Sequence, residues 1–217
     1  MDWVIANQAL IFSLTLDHLR LALIPILGGF VIAVPIGWFA VRYPRGGKIV
    51  VSVVGSLYTI PSLAMFMVLP PLVGISVLSE ANVLIALGIY AAAVMVQTSA
   101  DAFSSIDTTS LRAATALGYS EWGRFWQVEL PLAGPVLLAG LRVVAVSTVS
   151  LVTVGVLVGV QSLGFFFTDG FQRRILPEVL TGVVMTVVIA LLLDVILVAL
   201  GRLLMPWSTT STAKAAV

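Results

Sequence analysis

Apolar residues run along this chain in long blocks, not in the short alternating or 3.6-residue patterns of a water-soluble fold. A helix needs about 20 apolar residues to cross a hydrocarbon core. Five stretches qualify: residues 21–41, 49–73, 81–103, 134–160 and 179–204. Each is bounded by polar or Gly/Pro-rich sequence, so the pattern predicts an all-α membrane protein with about five transmembrane helices. The second stretch contains Pro61, Pro70 and Pro71 and is expected to be kinked or broken before its end. Such breaks persist only where protein or a cavity satisfies the freed backbone groups. A structural kink and a pore-side break are both compatible with the pattern.

Ahead of the first span, Ile5, Ala9, Phe12 and Leu16 recur at helical spacing, which predicts an interfacial lead-in over residues 1–20. The membrane domain is expected over 21–205, with a short tail at 206–217. Met1-Asp2-Trp3 has no basic n-region, so no removable signal peptide is expected. Basic residues suggest the orientation. Arg42, Arg45 and Lys48 lie in the first connection, Arg112 and Arg124 in the third, and Arg202 and Lys214 after the last span. Arg20, Arg173 and Arg174 fall on the other side. This predicts an outer N-terminus and a cytoplasmic C-terminus.

Composition agrees and removes other classes. Hydrophobic residues make up 60% of the chain, charged residues 10%, and the mean hydropathy is +1.14. The net charge of +1 and the lack of a long basic run give no footprint for nucleic acid. There is no cysteine, hence no disulfide, cysteine-based metal site or thiol nucleophile. No Gly-x4-Gly-Lys-Ser/Thr phosphate loop is present, so any ATP hydrolysis belongs to another subunit.

The third connection, 104–133, is long for a helix–helix link, and long links tend to be functional. Asp107 is placed to cap a short helix through Leu111, Ala113, Ala114 and Leu117, and Gly118 to stop it. Ser120 caps a second helix with Trp122, Phe125, Trp126 and Val128, which Leu130-Pro131 is expected to end. A hairpin with small residues on one face and aromatics on the other suits docking, and equally suits lying on the membrane surface.

Ala113-Ala114, three residues, Gly118, nine residues, then Val128-Glu129-Leu130-Pro131 resembles the E-A-A-x3-G-x9-I-x-L-P signature of bacterial ATP-binding-cassette (ABC) importer permeases. The resemblance implies a methionine-permease-like fold whose hairpin docks on an ATPase subunit, through Leu111, Arg112, Ala113, Ala114, Leu117, Gly118 and Trp122. It implies that ATP and Mg bind the partner ATPase, with no cofactor or metal in this chain. It also implies a second permease, identical or not, an extracytoplasmic solute-binding protein, and a bacterial plasma membrane location. Arg112 departs from the pattern, standing where the family usually has Glu. Tyr58-Thr59-Ile60-Pro61-Ser62 and Leu132-Ala133-Gly134-Pro135 resemble the glycine betaine/carnitine/choline permeases. So does Ser162-Leu163-Gly164. A compatible solute (proline-type included) is therefore the implied cargo; methionine or another amino acid is the alternative on the same fold.

Two rival classes remain to be weighed. An ion-coupled secondary carrier often shows internal inverted repeats, and none is apparent. A membrane-embedded enzyme would need a cluster of His, Glu or Asp within the spans. Only Arg142 and Asp194 lie deep in spans, and they are expected to pair. Ser147, Ser150 and Thr153 share part of one helix face and are candidates for a translocation path, as are Tyr58, Pro61 and Ser62 at the expected break. Hydroxyls bonding back to their own helix are an equally good reading. Gly155 and Gly159 are expected to allow close helix packing. His18 is placed near the outer surface without a role.

Overall fold

A computed structural model describes residues 2–207; the tail from Ser208 on, with Lys214, lies outside the described residues. In chain order the helices are α1 (Asp2–Ala6), α2 (Gln8–Arg42), α3 (Pro44–Ser56), α4 (Ser62–Val73), α5 (Glu80–Ser104), α6 (Thr108–Ala116), α7 (Glu121–Arg124), α8 (Leu130–Val152), α9 (Phe165–Arg173) and α10 (Leu176–Leu204). Short 3₁₀ stretches follow α3 and α8, a π-helical turn joins α7 to α8, and no strand occurs among the described residues.

The arrangement follows from one packing decision: α2 and α5 run parallel. Arg20 pairs with Glu80 at 2.6 Å, Gly29 faces Ala91, and Gly37 faces Ser99. The chain must therefore return from one end of the bundle to the other between Arg42 and Glu80, and α3 with α4 makes that return. The start of α3 lies beside Gln97, Asp101 and Ser104 at the far end of α5. Farther along, Phe66 of α4 accepts a hydrogen bond at its carbonyl from Asn82 Nδ2 near the start of α5, at 2.9 Å. The two halves are bent by 113° at Ile60–Pro61. Because they make that return together they form one broken span, which with the four unbroken ones gives five crossings among the described residues. Pro70 and Pro71 do not end α4, which runs on to Val73.

α8 runs antiparallel to α5, with Gly140 against Thr98 and Gly155 against Val83. α10 then returns beside α8. The core is formed by α2, α5 and α8, with Leu21, Ala22, Val83, Leu87, Met95, Val96, Val144 and Val149 buried at their junction. α10 is peripheral: Glu178, Gly182, Ile189 and Gly201 are its buried residues.

Several expectations change. The segment before Leu21 is not a separate lead-in: α2 is continuous from Gln8, because Leu14, His18 and Leu21 continue its buried stripe toward the core. Ile5, Phe12 and Leu16 do form an exposed apolar face, as the spacing predicted. His18 is not at the surface; it is fully buried, its Nε2 3.0 Å from the carbonyl oxygen of Val149. Leu130-Pro131 does not end the second hairpin helix. The Leu130 N–H bonds back to the carbonyl of Phe125, a π-type bond that carries the chain from α7 into α8. Of the two glycines, Gly155 is the one that meets α5; Gly159, at φ +79°, closes the 3₁₀ stretch after α8 and sits close against Leu78, outside any helix.

Candidate functional site: the hairpin between α5 and α8

The hairpin forms for the local reasons its sequence suggests. The Asp107 carboxylate accepts the Thr109 N–H at 2.9 Å, and the Ser120 hydroxyl oxygen accepts the Gly123 N–H at 3.1 Å. These caps satisfy donors that the first turns of α6 and α7 leave open. Between them Gly118 takes φ +85°, a left-handed conformation that side chains disfavour. Arg112, Ala113, Leu117 and Trp122 are exposed, Leu117 to 78% and Trp122 to 62%. Leu111 is half-buried. Ala114 is buried at 4% exposure, at the floor of the groove that Ala113 also lines. Ala113, Leu117, Tyr119, Val128 and Leu132 border an open groove of about 670 Å³.

The aromatic residues divide the work. Phe125 is buried, with its ring 4.9 Å from Trp38 of α2 and 6.0 Å from Phe103 of α5. Trp122 stacks on its outer side at 5.6 Å. One aromatic residue therefore anchors the hairpin to the spans, while Trp122 and Trp126 remain on the surface.

Sequence reading missed the polar link beneath. Glu129, 6% exposed, accepts from Arg124 Nε at 2.6 Å with one oxygen and from Trp38 Nε1 with the other. Arg124 Nη1 also donates to the Thr115 hydroxyl at 3.0 Å, so the chain of bonds reaches α6. Arg42, at the end of α2, pairs with Glu121 and lies over the Trp38 ring at 5.6 Å. The available signal was a lone acid within Val128-Glu129-Leu130-Pro131, at the mouth of an apolar span.

The deeper candidates fall into separate places. Arg142 and Asp194 pair as expected, through two hydrogen bonds of 2.6 and 2.9 Å between α8 and α10. Their side chains remain 42% and 26% exposed. Ser147 bonds back to the carbonyls of Val143 and Val144, and Thr153 to that of Ser150, so both hydroxyls are satisfied within their own helix. Ser150 is exposed and Ser62 half-buried. At the break, the Tyr90 hydroxyl donates to the Ile60 carbonyl at 2.6 Å, and Tyr58 lies edge-on to Tyr90. Pro61 is exposed beside it. Among the described residues no hydrogen bond joins the Tyr58–Ser62 group to the α8 hydroxyls, and no cluster is suited to a metal ion.

Residues 29–209 match the model of the family described as the binding-protein-dependent transport system inner membrane component. The chain belongs to this family. It is thus a multi-pass inner-membrane permease component of such a transport system. The curated relatives of this permease include the glycine betaine/carnitine/choline transport system permease protein of Bacillus subtilis, 25% identical over 95% of this chain and 94% of that protein. A carnitine transport permease protein of Listeria monocytogenes is 29% identical over 87% of this chain and 84% of its own length. An osmoprotectant import permease protein of Salmonella typhimurium is 28% identical over 95% and 97%. Among solved structures, an inward-facing form of the MetNI methionine ABC transporter superposes with a TM-score of 0.80, at 20% identity, over 91% of this permease and 97% of that chain. A second crystal form gives 0.73. The methionine-permease-like fold follows from that likeness; it carries nothing about cargo.

Proposed function

We propose that this permease forms the membrane path of an ATP-driven importer for compatible solutes of the glycine betaine, carnitine, choline or proline type. Its exposed hairpin docks on a separate ATPase subunit that binds ATP and Mg. A second permease, identical or not, completes the path, and an extracytoplasmic binding protein delivers the cargo. The observation that carries the reading is the capped hairpin around Gly118, exposed at Arg112, Ala113, Leu117 and Trp122 and anchored below by Phe125. The relatives' names support the class of cargo.

The hairpin end is cytoplasmic in this reading. Arg42, Arg45, Lys48, Arg112, Arg124 and Arg202 lie at that end, against Arg20, Arg173 and Arg174 at the other. Pro61, Ser62 and Tyr58 at the break, with Ser150 on α8, are the residues assigned to the path. The Arg142–Asp194 pair is assigned to structure.

The decisive experiment purifies the complex through this chain and compares wild type with Gly118→Trp. A Cβ at Gly118 meets nothing within 4 Å, but at φ +85° any side chain strains the turn, so the variant both adds bulk and distorts the hairpin. Wild type brings down an ATPase and the variant does so poorly. If neither version brings down an ATPase, even after cross-linking, the importer reading gives way to a lone ion-coupled carrier.

A further inference from the structure

We propose that Glu129 is a positioning residue that locks the hairpin to α2, so that hairpin and α2 move as one body and the ATPase stroke enters the bundle through α2. The proposal rests on the importer reading above.

Three observations converge on it. First, both partners of the Glu129 carboxylate are obligate donors: an arginine Nε–H at 2.6 Å and the indole N–H of Trp38. Only a group with two acceptor oxygens satisfies both, since a carboxamide would turn an NH₂ against one of them. Second, the junction is buried and doubly anchored. Glu129, Phe125 and Trp38 are buried at 6%, 4% and 7% exposure, and Phe125 packs on Trp38 beside the polar link. In such surroundings charge-assisted bonds are strong, and leaving one partner unpaired is costly. Third, a second tie runs in parallel, from Arg42 to Glu121 at the start of α7.

The π-helical turn fits the same role. Its five residues, Phe125–Glu129, carry both anchors, Phe125 at one end and Glu129 at the other. The turn lies where α7 would otherwise run straight into α8. Holding its ends to α2 places the hairpin by reference to α2 as well as to α8. Because α2 meets α5 at backbone distance through Gly29 and Gly37, displacement of the hairpin is passed to the parallel pair at the core.

The chain has no cysteine, which allows a direct test in the assembled, reconstituted complex. Arg42→Cys with Glu121→Cys is bridged by a short bismaleimide, and uptake is compared with the unbridged pair. A single body predicts uptake within about two-fold of the unbridged complex. A bridge that lowers uptake ten-fold or more would show that hairpin and α2 move against one another and would overturn the proposal. In a second arm, Glu129→Gln is compared with Trp38→Phe/Arg124→Leu/Glu129→Met, in which no buried polar group of the link is left behind and only the exposed Thr115 hydroxyl loses a partner. Both are scored as uptake per ATPase-containing complex, and as uptake per ATP hydrolysed. The expected result is that both variants retain ATPase but lose at least ten-fold in uptake per ATP. Wild-type uptake per complex in either variant, with only the yield of complex reduced, assigns Glu129 to folding alone and overturns the proposal. Absence of ATPase from the wild-type complex is a separate result, and it bears on the importer reading.

Discussion

The α2–α5 contact makes a sharp test, because two adjacent glycines in α2 differ only in what they face. A Cβ on Gly29 would lie 2.6 Å from the Ala91 Cβ and 2.9 Å from the Ala92 nitrogen, whereas one on Gly28 meets nothing within 4 Å. Carbon atoms at rest sit about 3.5–4.0 Å apart, so Gly29→Ala forces α2 off α5 by roughly 1 Å. The neighbours include backbone, which no rotamer change relieves. Overpacking of this kind costs about 1–3 kcal/mol, and a backbone collision belongs in the upper part of that range. Both substitutions gain about 1 kcal/mol of helix propensity, so that gain cancels in the comparison. Gly29→Ala should therefore be about 2–3 kcal/mol less stable than Gly28→Ala. For a chain of this size the difference corresponds to roughly 5–10 °C in apparent melting temperature. The assay is thermal unfolding of the purified permease in detergent, all variants in one preparation and at one scan rate. Gly37→Ala, which meets Ser99 and Ala100 in the same way, should add less to Gly29→Ala than it costs alone, since helices already forced apart collide less. Equal melting temperatures for Gly28→Ala and Gly29→Ala would refute the close parallel packing of α2 and α5.

Three further outcomes follow. Removing the hairpin caps with Asp107→Ala or Ser120→Ala should cost about 1 kcal/mol each in local helix stability; retention of ATPase on a washed affinity column should fall for each and further for the double variant. Asp194→Leu should lower the yield of assembled complex more than Arg142→Leu/Asp194→Leu does, because the single change strands an arginine within a span; equal yields would show that the bidentate pair has no structural role. In intact cells, Arg174→Cys should react with a membrane-impermeant maleimide while Arg112→Cys reacts only after lysis, and the reverse pattern would invert the proposed orientation.

What the sequence could reveal tracks how local the cause was. The caps at Asp107 and Ser120 and the stop at Gly118 each depend on a few neighbouring residues, and they appear where expected. The Arg142–Asp194 pair was legible for a different reason: two isolated charges in separate spans have few partners but each other. Errors arose where distant residues decide. Ala113 and Ala114 are identical in type, yet in the fold Ala113 is exposed and Ala114 buried, a difference their types do not encode. His18 is polar and near the chain start, and its burial depends on α8 supplying the Val149 carbonyl 131 positions away. Glu129 looked like one acid in a motif; its meaning lies in Trp38, 91 positions earlier.

The broken span is where local and distant causes meet. Three prolines signal irregularity in residues 49–73, but Pro70 and Pro71 are absorbed within α4 and the chain bends only at Ile60–Pro61. Proline alone therefore does not choose the place. The parallel run of α2 and α5 demands one crossing between Arg42 and Glu80, and α3 supplies its first half, from the level of Ser104 to that of Tyr90. At that level the bend must expose a carbonyl that no helix can satisfy. Tyr90 meets it, its hydroxyl 2.6 Å from the Ile60 oxygen, and Asn82 holds α4 beyond by the Phe66 carbonyl at 2.9 Å. A break within a membrane persists only where protein answers the freed groups. The bend thus sits at Pro61 because α5 places a donor beside that proline, and Tyr58, Pro61 and Ser62 are held there together.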